Sequence, residues 1–72
     1  MTPSEITIGD WVRFRITSDS PLVFHLYGYD LEEEVEPGEL TELAFGATLT
    51  GRFEIENEQT HEELGTLLVQ LR

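Results

Sequence analysis

Phe24-His25-Leu26-Tyr27-Gly28-Tyr29-Asp30 places one of the chain's two histidines, both tyrosines and a glycine inside an alternating apolar sequence. Leu22, Phe24 and Leu26 fall on one face of an extended segment, and Val23, His25 and Tyr27 on the other. A period of two is the pattern of a β-strand with one face against a core. Gly28 interrupts it where a bulge or a close backbone approach fits. The same period recurs outward in both directions. Before it, a short strand over Glu5 to Ile8 ends at the turn pair Gly9-Asp10, and Trp11 to Thr17 sets Val12, Phe14 and Ile16 against Trp11, Arg13 and Arg15. Turn formers at Ser18-Asp19-Ser20-Pro21 close that strand.

After Gly28, Leu31, Glu33 and Val35 alternate with Glu32, Glu34 and Glu36, so the acidic run reads as a solvated strand face. Pro37-Gly38 is a turn, Glu39 to Phe45 returns as a strand, and Gly46 and Gly51 bracket a short connection. Phe53 and Ile55 then oppose Glu54 and Glu56. Asn57 to Gly65 is polar and reads as a loop, and Thr66 to Leu71 closes the chain with Leu67, Val69 and Leu71 on one face. No segment holds a helical stripe. Seven short strands between turns predict one all-β domain over 1–72, a Greek-key β-sandwich.

The totals narrow the function. The chain has 72 residues, no cysteine, fifteen acidic residues and four basic ones, for a net charge of −11. A surface this acidic repels phosphate backbones and anionic lipid, which argues against nucleic-acid and membrane partners. Without cysteine there is neither a disulfide nor a thiolate metal site. Met1-Thr2-Pro3-Ser4-Glu5 lacks the basic and apolar regions of a signal peptide.

The order of these pieces resembles the cupredoxins. Gly9-Asp10 leading into Trp11–Thr17 is similar to the family's G-D-x-V-x-(F/L)-x-(V/I) strand. Val23-Phe24-His25-Leu26-Tyr27 resembles the strand with the first copper histidine, and Pro37-Gly38 the family's turn. Gly51-Arg52-Phe53-Glu54-Ile55-Glu56-Asn57 follows G-x-(Y/F)-x-(F/I)-x-C except at its last residue, and Gly65-Thr66-Leu67-Leu68-Val69 resembles the closing strand. His25 to Asp30 looks most like bacterial domains with an H-x-H-G-Y-D signature. The resemblance implies a cupredoxin-like sandwich, an exported (periplasmic or extracellular) setting within a larger protein, and a chain shortened at its N-terminus. It places His25 and His61 at the two imidazole positions, Asn57 at the cysteine position and Leu64 near the methionine position. A type 1 copper centre needs a cysteine thiolate, so the resemblance implies no blue-copper electron carrier here.

Two readings of the histidines stay open. His25 and His61 could hold Cu(II) or Zn(II), with Asn57, Glu56 or Glu58 adding oxygen. The alternative is two histidines satisfied by hydrogen bonds and water. His61-Glu62-Glu63 is not the zinc-protease H-E-x-x-H, because Gly65 stands at the second histidine position. With no catalytic triad order, phosphate-cradling loop or basic aromatic platform, the expectation is a non-catalytic structural or binding module with no resident cofactor and an unidentified protein partner. An immunoglobulin-like or fibronectin-like adhesion module is the third reading. Because a sandwich this short leaves a strand edge open, a homodimer is also expected.

Overall fold

The β3 strand, Leu22–Leu26, sits where the alternation predicts, in the interior of a five-stranded sheet. The computed structural model describes residues 4–72. They form β1 (Ser4–Thr7), β2 (Trp11–Ile16), β3, β4 (Leu31–Val35), β5 (Thr41–Gly46), β6 (Gly51–Asn57) and β7 (Glu62–Gln70). The larger sheet has the order β1-β7-β6-β3-β4, and β2 pairs with β5 in a separate two-stranded sheet. The fold is all-β and two-layered, in keeping with a β-sandwich.

The two layers meet through the apolar parity of their strands. Phe24, Leu26, Val35, Ile55, Leu67 and Val69 come from the larger sheet, and Val12, Leu43 and Phe45 from the smaller, to make one buried core. Phe14 bridges the layers, its ring centroid 5.4 Å from that of Phe24 and 6.1 Å from that of Phe45. Leu26 and Leu67 are fully buried. Each large apolar side chain removed from water in this way stabilises the fold by roughly 1.5–3 kcal/mol.

Gly28 is required by close approach. Its φ is 90°, and a Cβ there would lie 2.3 Å from Cδ1 of Phe53. The bare backbone lets the Phe53 ring lie against the β3–β4 turn, where it meets Tyr29 edge-on at 4.7 Å. The Tyr29 hydroxyl then donates to the Leu49 carbonyl at 2.7 Å and accepts from the Leu49 amide at 3.1 Å. One aromatic thereby anchors the β5–β6 connection.

Two sequence expectations change. Half of the polar stretch from Glu58 to Gly65 is strand: β7 begins at Glu62, and the residues from Glu58 to His61 turn. A register shift hides this, because Ile55 pairs with Gly65 but Glu56 pairs with Glu63. Leu64 has no opposite residue and turns inward against the core, so strict alternation fails there. Leu71 lies past the strand and is exposed, not on the inner face with Leu67 and Val69. The first strand is parallel to β7, with Glu5 opposite Leu68. Met1, the only methionine, and Pro3 lie outside the described residues. Among the described residues no helix is long and apolar enough to cross a membrane.

Candidate functional site

His25 lies at the middle of β3 with its neighbours Phe24 and Leu26 turned to the core, so parity sends its ring to the outer face of the five-stranded sheet. The β3–β4 hairpin puts Glu32 directly opposite it, and β6 puts Glu56 opposite on the other side, with Glu63 of β7 next in line. One cross-strand row therefore reads Glu32, His25, Glu56, Glu63. Like charges in cross-strand positions are destabilising unless something of opposite sign lies between them.

The turn after β6 adds a further carboxylate. The Asn57 side-chain oxygen accepts from the Val23 amide at 3.3 Å and the Gln59 amide at 3.1 Å, and the Asn57 carbonyl accepts from the His61 amide at 2.7 Å. The Glu58 amide donates to the Val23 carbonyl at 2.8 Å. These bonds fix Glu58 beside β3, and its Oε2 lies 2.6 Å from His25 Nδ1. The other ring nitrogen, Nε2, faces Asp30 Oδ1 at 3.9 Å. Despite this polar company His25 is only 9% exposed, covered in part by the Tyr27 ring at a centroid distance of 4.0 Å. Burial, reinforced by the carboxylates of Glu56 and Glu58, raises the Tyr27 hydroxyl above its ordinary pKa. That hydroxyl donates to Glu58 Oε2 at 3.4 Å.

The structure gives the three sequence candidates different surroundings. Potential ligand atoms of His25, Glu32 and Glu58 all lie within 4.8 Å of one another. His61 is not in that group. It is an exposed residue at φ 62°, with its Nδ1 3.8 Å from Glu56 Oε1. Asn57 is buried, and its side-chain oxygen already accepts two backbone amides. The copper set implied by the resemblance does not fit these residues, since no thiolate exists and Leu64 packs into the core. Glu58 was among the residues the sequence offered as an oxygen donor. Glu32 was not, because in the sequence it is one acid in a run. Pairing Leu26 with Leu31 around the Tyr27–Asp30 connection would have placed it opposite His25.

A second feature lies on the other flank. The smaller sheet has only two strands, so it leaves part of the larger sheet's inner face uncovered. Beside β2 opens a cleft of about 310 Å³, lined by Phe14, Arg15, Ile16, Thr17, Leu22, Phe24, Ile55 and Leu64. Along this flank β2 pairs with no other strand among the described residues. On its outer face Trp11 is 68% exposed, Arg13 reaches Glu42 at 3.6 Å, and Arg15 makes no ion pair among the described residues. Neither protein-family models nor curated proteins give a match to this chain.

Proposed function

We propose that this chain is a non-catalytic binding module: a cupredoxin-like Greek-key sandwich without type 1 copper that receives an extended segment of another protein along β2. The observation that carries this reading is the apolar cleft lying beside an unpaired strand edge. A free edge offers backbone N–H and C=O groups to an incoming strand, and pockets for its alternate side chains supply selectivity. Here the same incoming strand would lower its apolar side chains onto Phe14, Ile16, Ile55 and Leu64. Its outward residues would pass Arg15, which makes no ion pair among the described residues, so a carboxylate at that position is favoured. A second copy is a poorer occupant. Antiparallel pairing of two β2 strands would crowd Arg13 and Arg15 of both copies together, and would join two molecules of charge −11.

The fold assignment rests on the succession of motifs and on two facing β-layers. A second reading is favoured by the strand order. With β2 beside β5 in one layer and β7, β6 and β3 adjacent in the other, the neighbours match the B–E and G-F-C pairings of immunoglobulin-like sandwiches, with β4 beside β3 where the variable type adds a strand and not in the layer of β2 and β5 as in the constant type. Both readings lead to a binding module.

Selection of random dodecapeptides against the immobilised chain tests the proposal, followed by amide-exchange mapping of the enriched sequences. The expected consensus alternates apolar residues, carries a carboxylate, and protects alternate amides between Phe14 and Thr17. An Arg15→Glu variant weakens it. Enriched peptides that protect other strands, or no enrichment at all, would overturn the reading. Protection of β2 by self-association alone, seen as a dimer in sedimentation, would assign the edge to a second copy instead.

A further inference from the structure

We propose that His25, Glu32 and Glu58 form a site for a divalent transition-metal ion of the Zn(II) class on the outer face of the five-stranded sheet. It is independent of the β2 cleft. The three residues come from three separate pieces of backbone, β3, β4 and the turn after β6, and each is fixed by a different interaction. His25 is set by ladder parity, Glu32 by the hairpin register, and Glu58 by its amide bond to Val23. Their ligand atoms lie within 4.8 Å of one another.

Bonds of about 2.0–2.2 Å to nitrogen and oxygen bring tetrahedral donors to about 3.4 Å of each other. The contraction needed falls on Glu32, an exposed side chain free to turn inward. Glu58 Oε2 and His25 Nδ1, hydrogen-bonded at 2.6 Å, open to about 3.4 Å as the ion replaces the bond between them.

Charge explains why a dication suits the place. Both nitrogens of His25 face carboxylates, Glu58 at one and Asp30 at the other, and Glu32 and Glu56 flank the ring in register. A proton on the ring offsets one of these negative charges; a divalent ion offsets two and binds directly to the oxygens. An imidazole among the ligands favours zinc and its neighbours over calcium or magnesium, which take oxygen alone. Three protein ligands leave a position for water or for a donor from another molecule. Tyr27, tilted against the ring at a centroid distance of 4.0 Å and bonded to Glu58, holds both in place as a positioning residue.

Calorimetric titration of the whole chain with Zn(II) at moderate salt tests the site. One saturable ion per chain is expected, with its affinity lowered about tenfold or more in Glu32→Gln and Glu58→Gln. Glu34→Gln removes the same charge from the same outer face without touching the cluster, and is expected to change affinity by no more than about twofold, as is His61→Ala. In the wild type, Zn(II) should shift the ring-nitrogen resonances of His25 and leave those of His61 in place. All of these variants alter exposed or partly exposed side chains, so folding can be confirmed by their retained amide spectra. The proposal fails if no saturable binding appears. It fails equally if Glu34→Gln weakens binding as much as Glu32→Gln, which would mean diffuse attraction, or if His61→Ala does, which would restore the two-histidine set.

Discussion

The centre of the larger sheet and the β2 flank treat their residues in opposite ways. Around β3, almost every group is engaged on both sides: Phe24 and Leu26 are buried below, His25 is enclosed above, and the Asn57 side chain ties Val23 to the turn at Gln59. Around β2, Val12 is buried, but Phe14 and Ile16 are only half covered, Trp11 projects into solvent, and one edge pairs with no strand among the described residues. The difference follows from strand number. β3 lies between β6 and β4 in a five-stranded sheet, whereas the two-stranded layer runs out before it covers the inner face of that sheet. In a domain this small, stability is concentrated where layers overlap, and the surface left over is where another molecule can bind.

The comparison breaks most visibly under truncation. Leu26→Ala removes a fully buried side chain at the sheet centre and is expected to cost about 2–5 kcal/mol. Trp11→Ala removes a larger side chain from β2, yet at 68% exposed it should change stability by about 0.5 kcal/mol or less. Urea denaturation of both variants decides the matter. Equal losses would mean that Trp11 is covered in solution, and that the β2 flank is not open.

A smaller effect probes the tie at the edge of the centre. Asn57→Ala leaves the Val23 and Gln59 amides without their shared acceptor, and releases the turn that holds Glu58. The expected cost is about 1–3 kcal/mol, the penalty for backbone donors left unpaired. Amide exchange at Val23 and Gln59 should accelerate more than at Phe14. If exchange rises uniformly, the residue contributes to global stability and not to this local tie.

Much of this contrast was legible in the sequence. The alternation read over Trp11–Thr17 and Leu22–Tyr27 marked both strands and their inward faces, and Gly28 marked a bulge or a close approach, of which the close approach is found, because each signal is local. The start of β7 was not legible. Glu62 and Glu63 look like loop residues until the bulge at Leu64 is known, and that bulge exists only in relation to Ile55 and Glu56 on another strand. The candidate site was legible only in part for the same reason. His25 could be singled out by type, but its partner Glu32 is distinguished from Glu33 and Glu34 only by hairpin register. Asn57 took the cysteine's place in the motif pattern, while its amide chemistry fits it to accept backbone donors, and that is its role here.

The smallest expected effect lies at high pH, on the outer face of the centre. Tyr27 is a half-buried residue with its hydroxyl beside Glu56 and Glu58, and burial with those two negative charges raises its pKa. In the unfolded chain a tyrosine loses its proton near pH 10. Between that value and its own higher one, the folded protein keeps a proton that the unfolded chain has released. The folded state then binds more protons, so stability falls as pH rises through this window. Below about pH 10 both states hold the proton, and the contribution is fully present. Tyr27→Phe removes the titrating group while keeping the ring that packs against His25. Denaturation midpoints measured from about pH 9 upward should therefore decline more steeply in the wild type than in Tyr27→Phe. Arg15→Ala, on the β2 flank and away from the hydroxyl, should keep the wild-type slope. Parallel declines in the wild type and Tyr27→Phe would show that the hydroxyl is hydrated in solution. The cover that Tyr27 gives His25 would then be looser than the enclosed centre requires.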